Sequence, residues 1–317
     1  MNKDLIQQFG ILQAYFKSKN DTGRNIAYGK VISGLRTIGD KVTNVSQLKN
    51  IPGIGPTAIK KVKEYLDTGK IEAVEDAKVE IQKGKKLTIK ESTTELFQTV
   101  WGVGPKKADD LYNSGVRTLE DLERRKYSLL TRAQVIGLKY REELLVPLPR
   151  SLITSVYVVM MYHFNKKYGK GKFDMIFAGS YRRGSQQSGD IDCVISSDSF
   201  NLSDAVELLK SEGIVTDVLS MRSEKFMGIA HCPKGFGHHF RLDIEFVDQT
   251  DLGSSLLYFT GSKGTNIYMR VAAKKKGMVL SHHGLFSAST GKKLLQSPTE
   301  EDIFKKLDIP YISPENR

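Results

Sequence analysis

Two stretches, "SGDIDCVI" (Ser188 to Ile195) and "FRLDIEFV" (Phe240 to Val247), alternate apolar and polar residues with a period of two. Residues two apart in a strand share a face. Asp190 and Asp192 therefore point one way, while Ile191, Cys193 and Ile195 point the other. In the second stretch Phe240, Leu242, Ile244 and Phe246 share one side and leave Arg241, Asp243 and Glu245 on the opposite one. Strands of this kind need a sheet with one face buried. If the two are neighbours, three carboxylates converge, and such a cluster is electrostatically unfavourable without a cation. The plainer alternative is that these acids are the solvated face of alternating strands.

Convergence would suit magnesium, since hard divalent ions take carboxylate oxygens at roughly 2.1 Å and use substrate phosphates as further ligands. Two ions about 3.5–4 Å apart steady both the attacking and the leaving oxygen of an in-line phosphoryl displacement. The segment just before, "GSYRRG" (Gly179 to Gly184), supplies complementary groups. Strand "FDMIFA" runs into a tight turn expected at Gly179-Ser180, offering backbone N–H and a hydroxyl. Arg182 and Arg183 follow, and guanidinium groups bind phosphate through paired hydrogen bonds. The segment is expected to hold a triphosphate with one end and its metals with the other.

Composition agrees with a polyanionic partner. Lys plus Arg number 48 against 36 for Asp plus Glu, a formal charge of +12. Cationic patches gain affinity by releasing counterions from nucleic acid. The 317 residues predict about two domains or more. Cys193 and Cys232 are the only cysteines, which argues against a disulfide framework or a zinc site and for a reducing setting. No stretch reaches the ~18 apolar residues of a membrane span, and the start lacks the apolar core of a signal peptide. A soluble intracellular protein with no membrane partner is expected.

The chain changes texture along its length. Residues 1–80 read as helical, and 79–92 ("VEIQKGKKLTIKES") as a basic linker. Residues 81–148 form a second helical block, closed by "VPLP" (Val146 to Pro149), because residues before proline disfavour helix. Residues 149–250 mix short strands with helices, an α+β pattern, and 251–317 form a further small subdomain. The apolar run "SLITSVYVVMMYHF" (Ser151 to Phe164) is expected as a buried helix. His231-Cys232 and His238-His239 are placed in an exposed loop. "KGKK" (Lys83 to Lys86) and "KKK" (Lys274 to Lys276) are read as backbone contacts or a solvated face rather than localisation signals.

A weak repeat stands out. "NIPGIGPTAIKKVKEYLDTG" (Asn50 to Gly69) and "TVWGVGPKKADDLYNSG" (Thr99 to Gly115) share G-x-G-P, a helical stretch and a glycine stop. The pattern resembles the helix-hairpin-helix. Gly53, Gly55, Gly102 and Gly104 would let the backbone approach a phosphate, and the helix beyond Pro56 or Pro105 offers N–H donors to it. An ordinary loop-to-helix turn is the alternative for either copy alone. In the first helix Ala58, Ile59, Val62, Tyr65 and Leu66 form one apolar arc. Lys60 and Lys63 point away, and Lys61 falls at the edge of the arc beside Tyr65. A lysine at its ordinary pKa of ~10.4 is almost wholly charged near neutral pH. Partial burial and like-charged neighbours favour the neutral, nucleophilic amine.

Taken together, "GS-Y-RRG…SGDID", "RLDIEF" and "LLYFTGS…N…MR" (Leu256 to Arg270) resemble the family X DNA polymerases, in the same order and over nearly the whole chain. The resemblance implies a helical amino-terminal lyase-like domain and a helical hairpin subdomain. An α+β nucleotidyltransferase palm and a small α+β carboxy-terminal subdomain that binds the nascent base pair follow. There is no room for an amino-terminal BRCT module, which points to a minimal form. By this resemblance Asp190, Asp192 and Asp243 are metal ligands for two Mg2+ ions, with Mn2+ as a substitute. Ser180, Arg183 and Gly189 match triphosphate contacts, and Arg241 a residue beside the third acid. Tyr258 and Phe259 match the wall that rejects a 2′-hydroxyl, with plain core aromatics as the alternative, and Gly261 matches a nucleotide-binding position. Asn266 and Arg270 match positions that probe the base pair from the minor groove.

For the amino-terminal domain the resemblance aligns Lys61 with a Schiff-base lysine acting on 5′-deoxyribose phosphate. The alternative is that Lys61 is one more DNA-contacting cation, like Lys60. Arg24, Tyr28 and Lys30 match a pocket for the 5′-phosphate. Carbonyls of Lys49, Ile51 and Ile54, and of Gln98, Val100 and Val103, match a monovalent Na+ or K+ site at each hairpin. Departures fall at Gly23, Arg24, Thr57, Pro147 and Lys263. The implied protein is a monomeric gap-filling polymerase with lyase activity in base excision repair. Gapped or nicked DNA and deoxynucleoside triphosphates are its partners, with repair proteins possible besides. A template-independent terminal transferase and a non-catalytic DNA-end-binding protein are the alternatives.

Overall fold

Apolar residues at three- and four-residue spacing build the first unit, residues 1–87. Helices α1 (Lys3–Ser18), α2 (Thr22–Arg36), α3 (Pro56–Thr68) and α4 (Glu72–Gly84) close around Leu5, Phe9, Leu12, Leu35, Val62 and Val74. The computed structural model describes the chain apart from residues 1, 20, 39, 50, 85–88, 233–235 and 298. Asp21 caps α2 by accepting from the Arg24 N–H at 2.9 Å. Pro56 opens α3, and Gly69 ends it in the left-handed conformation that glycine adopts freely.

The stretch 79–92 differs from the linker expected of it. Helix α4 continues to Gly84, and α5 (Ile89–Gln98) begins one residue past the second unit's start at residue 88. Its 85–88 portion, with part of "KGKK", lies outside the described residues. The acidic side chains Glu72 and Glu75 in the first turn favour α4 electrostatically, so its basic end does not break the helix.

The second unit starts with α5, α6 (Pro105–Asn113), α7 (Leu119–Leu129), α8 (Arg132–Lys139) and α9 (Arg141–Leu144). Phe97, Val100, Leu111, Val116 and Leu122 form the core of this helical part. Strand β1 (Leu148–Pro149) then leads into α10 (Arg150–Tyr168). Helix α10 buries Leu152, Ile153, Val156, Met160 and Phe164, but Val158 and Tyr162 on its other side are about 60% exposed, so it is amphipathic rather than wholly buried.

Strands β2 (Asp174–Phe177), β4 (Ile191–Ser196), β5 (Val215–Met221), β6 (Lys225–Cys232) and β7 (Phe236–Phe246) form a mixed sheet in the order β2-β4-β7-β6-β5. Helix α11 (Gly179–Arg182) and the short β3 (Gln187–Ser188) lie between β2 and β4. Only β4 and β7 run parallel, and their register pairs Asp192 with Asp243. Helices α10 and α12 (Leu202–Ser211) cover one face, on Ile191, Cys193, Ile195, Leu242 and Ile244. Part of the acidic face is also covered, because Val194 packs with Ala178, Val247, Leu252 and Leu256. His231 and Cys232 lie on β6 and His238 and His239 on β7, so these residues belong to paired strands rather than to an exposed loop. Cys193 and Cys232 are buried thiols.

Helices α13 (Leu252–Thr260) and α14 (Lys263–Lys275), the antiparallel strands β8 (Met278–Ser281), β9 (Gly284–Ser287) and β10 (Lys293–Leu295), and α15 (Glu300–Lys306) complete the unit. Their core is Leu257, Met269, Ala273, Leu285, Ile303 and Phe304. Among the described residues no helix is long and apolar enough to cross a membrane.

Candidate active site and hairpin turns

The acidic strands meet as neighbours. Asp192 and Asp243 sit side by side on β4 and β7, with Asp190 just before β4 begins. Arg241 joins the outer pair, its Nη2 donating to Asp190 Oδ2 at 2.6 Å and to Asp243 Oδ2 at 3.0 Å. Burial pushes the Asp192 carboxyl up to about 7, and the charges of Asp190 and Asp243 push the same way. Asp243 is also raised, by burial above all, with Arg241 opposing. Despite its own burial, Arg241 is held above its ordinary value by Asp243 and Asp190.

Among the described residues no three acidic, His or Cys side chains already form a metal cage. Arg241 takes one oxygen from each of two of these acids. The donor set nonetheless fits a hard divalent cation. Asp243 Oδ1 is buried without a hydrogen-bond partner among the described residues, and burial with two neighbouring acids makes the charged form of Asp192 costly, although Arg241 and Lys225 oppose this.

Asp190 and Asp192 line a cleft of about 530 Å³. One wall is α11, and its first residue, Gly179, has a positive φ of 56°. The expected turn is thus one turn of helix. A Cβ on Gly179 would stand 2.2 Å from Asp192 Oδ2, so only glycine lets the acid pack there. Ser180 also lines the cleft, and its hydroxyl donates to Ser188 at 2.7 Å. Arg183 reaches the cleft with Nη1 fixed on the Thr260 carbonyl at 2.5 Å. Arg182 does not. It turns to Glu300 at 2.7 and 3.0 Å and to the Thr260 hydroxyl at 2.7 Å, so the adjacent arginines have separate tasks.

The opposite wall comes from the end of α13 and the start of α14. Tyr258 and Phe259 stand edge to face with centroids 4.9 Å apart. Asn266 donates its amide to the Tyr258 carbonyl at 2.7 Å, and the Arg270 guanidinium lies 5.1 Å from the Tyr258 ring. Gly261, Lys263 and Ile267 join this wall, whereas Gly189, Arg241 and Asp243 do not line the cleft. Sequence patterning missed Ile267, a lone apolar residue at a helix position that is 52% exposed.

The two hairpins have the same backbone design, each within its own unit. Gly53 and Gly102 adopt positive φ of 91° and 83°. Gly55 and Gly104 precede Pro56 and Pro105 in extended conformation. The Ile54 N–H donates to the Ile51 carbonyl at 3.1 Å, and the Val103 N–H to the Val100 carbonyl at 3.0 Å. Lys49 and Gln98 flank these turns, their N–H and side-chain amide donating to Ser46 and Thr94. Asn50, which opens the first copy, lies outside the described residues.

In the first unit a Cβ on Gly53 would come within 2.9 Å of Lys30, which places Lys30 against the hairpin. Tyr28 stacks on Phe16 at 5.7 Å, and Arg24 lies over the same Phe16 ring at 4.3 Å. Arg24 and Tyr28 are thus brought together. Lys61 is half-buried on α3, while Lys60 and Lys63 are exposed, as the apolar arc requires. No hydrogen bond joins Lys61 to Arg24, Tyr28 or Lys30 among the described residues.

The same four parts match known families. Residues 1–71 match a helix-hairpin-helix domain, 95–145 the fingers domain of DNA polymerase lambda, 148–249 the DNA polymerase beta palm and 255–317 the DNA polymerase beta thumb. The chain is 31% identical to DNA polymerase lambda of Rattus norvegicus, over all of this chain and 56% of that protein. It is 29% identical to DNA polymerase lambda of Arabidopsis thaliana, over all of this chain and 62% of that one. With the DNA-directed DNA/RNA polymerase mu of Homo sapiens the identity is 27%, over all of this chain and 69% of that protein. The chain therefore spans less than two thirds of the length of either lambda relative.

Proposed function

We propose that the chain is a family X DNA-directed DNA polymerase that fills short gaps, a reading supported by its four matched domains and its likeness to DNA polymerase lambda. The observation that carries this reading is the in-register pair Asp192 and Asp243, with Asp192 and Asp190 opening on a cleft that also holds Arg183. Carboxylates for cations and a guanidinium for phosphate, facing one space, are what nucleotidyl transfer requires.

Asp190, Asp192 and Asp243 would hold two Mg2+ ions, which supply charge neutralisation and activate the primer 3′-hydroxyl; Mn2+ has the same ligand preferences. Arg183, Ser180 and the backbone up to Gly189 grip the triphosphate. Its position against the Thr260 carbonyl orients the Arg183 guanidinium before substrate arrives. The primer 3′-oxygen attacks the α-phosphorus, the bond to the bridging oxygen breaks, and pyrophosphate leaves with its charge facing Arg183. Tyr258, Phe259 and Gly261 confine the sugar, and Asn266 keeps that wall in place through the Tyr258 carbonyl. Arg270 contacts the new pair from the minor-groove side.

The hairpins supply sequence-independent grip. The backbone N–H groups around Gly53, Gly55, Gly102 and Gly104 reach phosphates, with Na+ or K+ held by the adjoining carbonyls and Lys60 on the exposed side of α3. Lys61 is the amine for 5′-deoxyribose phosphate removal. Its nitrogen condenses with the C1′ aldehyde, expelling water. Loss of a C2′ proton then breaks the C3′–O bond to leave a 5′-phosphorylated DNA end, and water hydrolyses the imine to free the unsaturated sugar phosphate from Lys61. Arg24, Tyr28 and Lys30 would hold that phosphate. Gap filling and end trimming together fit base excision repair by a monomer.

The test is a one-nucleotide gapped duplex with magnesium and each deoxynucleotide singly, with Asp192→Ala as control. Insertion of the complementary base alone supports the reading. Indiscriminate addition would indicate a terminal transferase, and no addition by the wild-type chain a non-catalytic end binder. For the lyase step, borohydride should trap a covalent adduct that Lys61→Ala abolishes.

A further inference from the structure

Trp101 is the chain's only tryptophan, and it stands at the tip of the second hairpin. Its backbone is tightly held. A Cβ on Gly137 of α8 would meet the Trp101 carbonyl at 2.5 Å, so glycine permits the close approach. Gln134 donates to the Gly102 carbonyl at 2.8 Å, and Arg141 Nε to the Thr99 hydroxyl at 2.5 Å. The helices providing these contacts are themselves fastened to the sheet. Tyr140 donates its hydroxyl to Asp217 at 2.7 Å, and Glu143 accepts from the His239 N–H at 2.6 Å.

From this frame the indole reaches Arg241, whose guanidinium carbon lies 5.5 Å from the ring centroid, within cation–π range. Arg241 is the residue that bridges Asp190 and Asp243 through Nη2. Its Nη1 is buried with no hydrogen-bond partner among the described residues. With Nη2 bound to both acids and Nη1 unbonded among the described residues, the far edge of the guanidinium is left to packing, and the indole face is one contact available to hold it.

We propose that Trp101 is a positioning residue that holds the Arg241 guanidinium against Asp190 and Asp243, joining the DNA-gripping hairpin to the carboxylate site. Its kinetic consequence rests on the polymerase reading; the contact itself does not. A duplex phosphate docked on Gly102 and Gly104 would then steady the side chain that orders the acids, through one intervening residue. The plainer role, filling the apolar cluster of Ile136, Tyr140, Leu219 and Ile229, predicts different results.

The experiment uses the full chain. Because the single tryptophan reports on its own surroundings, Arg241→Met should change the emission maximum or intensity relative to wild type, without DNA or nucleotide. On the gapped duplex, Trp101→Leu should lower kcat about tenfold, by the leverage misplaced catalytic groups have, while KM for nucleotide and Kd for DNA stay within twofold. Trp101→Phe should recover most of that loss. Placed in an Arg241→Lys background, Trp101→Leu should cost nothing more. Superimposable emission spectra, an unchanged kcat in Trp101→Leu, a loss confined to Kd, or the same fold-loss in the Arg241→Lys background would each overturn the proposal. A wild-type chain that inserts no nucleotide would defeat the polymerase reading instead and leave the emission comparison to decide. Should Trp101→Leu not fold, the emission comparison and Trp101→Phe still decide.

Discussion

Arg182 and Glu300 form a two-point ion pair, Nη1 to Oε1 at 3.0 Å and Nη2 to Oε2 at 2.7 Å, between α11 and α15. Arg317 adds a further contact to the same carboxylate. Although burial works the other way, Arg182 and Arg317 hold the Glu300 carboxyl below its ordinary 4.5. A carboxyl depressed on folding stabilises above its unfolded pKa, and that stability is lost as pH falls through the folded one. Thermal melts should therefore lose stability below about pH 4.5, and Glu300→Gln should flatten that acid limb. Removing one partner of a buried pair costs about 3–5 kcal/mol, so the variant should melt well below wild type at pH 7. An equal melting temperature would count against the pair.

Gly179→Ala is expected to fold and to fail in catalysis. The new Cβ would lie 2.2 Å from Asp192 Oδ2 at a backbone φ of 56°. The acid must move, and misplacement by about 1 Å costs on the order of 10²-fold in rate. Single-turnover insertion on a gapped duplex measures this, with duplex affinity unchanged.

Gly102→Ala should weaken DNA binding and spare the chemistry. The residue has φ of 83°, and an L-residue there costs about 1–2 kcal/mol. The shifted turn would also press on Gln134, 3.2 Å from the added Cβ. Kd for the gapped duplex should rise about tenfold, and kcat at saturating DNA should stay within twofold. The wild-type affinity should fall steeply with salt, as counterion release demands.

Asn266→Ala removes the donor to the Tyr258 carbonyl and frees one side of the wall proposed to confine the sugar. A hydrogen bond of this kind is worth about 1 kcal/mol, so the preference for deoxy- over ribonucleotides in kcat/KM should drop about fivefold. A selectivity ratio equal to wild type would show that the wall is held without Asn266.

Much of this site was legible in period and charge. The alternation in "GDIDCVI" and "FRLDIEFV" identifies both the buried face and the acids, because strand geometry leaves no other way to hide Ile191, Leu242 and Ile244. The hairpins were legible for a similar reason, since G-x-G-P restricts the backbone locally. What sequence could not reveal depends on distant partners. Arg182 and Arg183 are identical in type, and only the position of Glu300, far along the chain, sends one to an ion pair and the other to the cleft. The histidines of β6 and β7 looked like loop residues because glycines surround them, yet ladder pairing with neighbouring strands overrides that local bias. Trp101 reads as a hairpin aromatic until Arg241 arrives beside it.

The parallel pairing of β4 with β7 brings Asp192 beside a residue from a much later part of the chain. A nascent chain on the ribosome that has not yet emerged past β7 cannot bring these two acids together, however well its earlier helices have formed. On the polymerase reading, nucleotide chemistry is thus withheld during synthesis by topology alone, and proteolytic fragments that end before Asp243 should be inert.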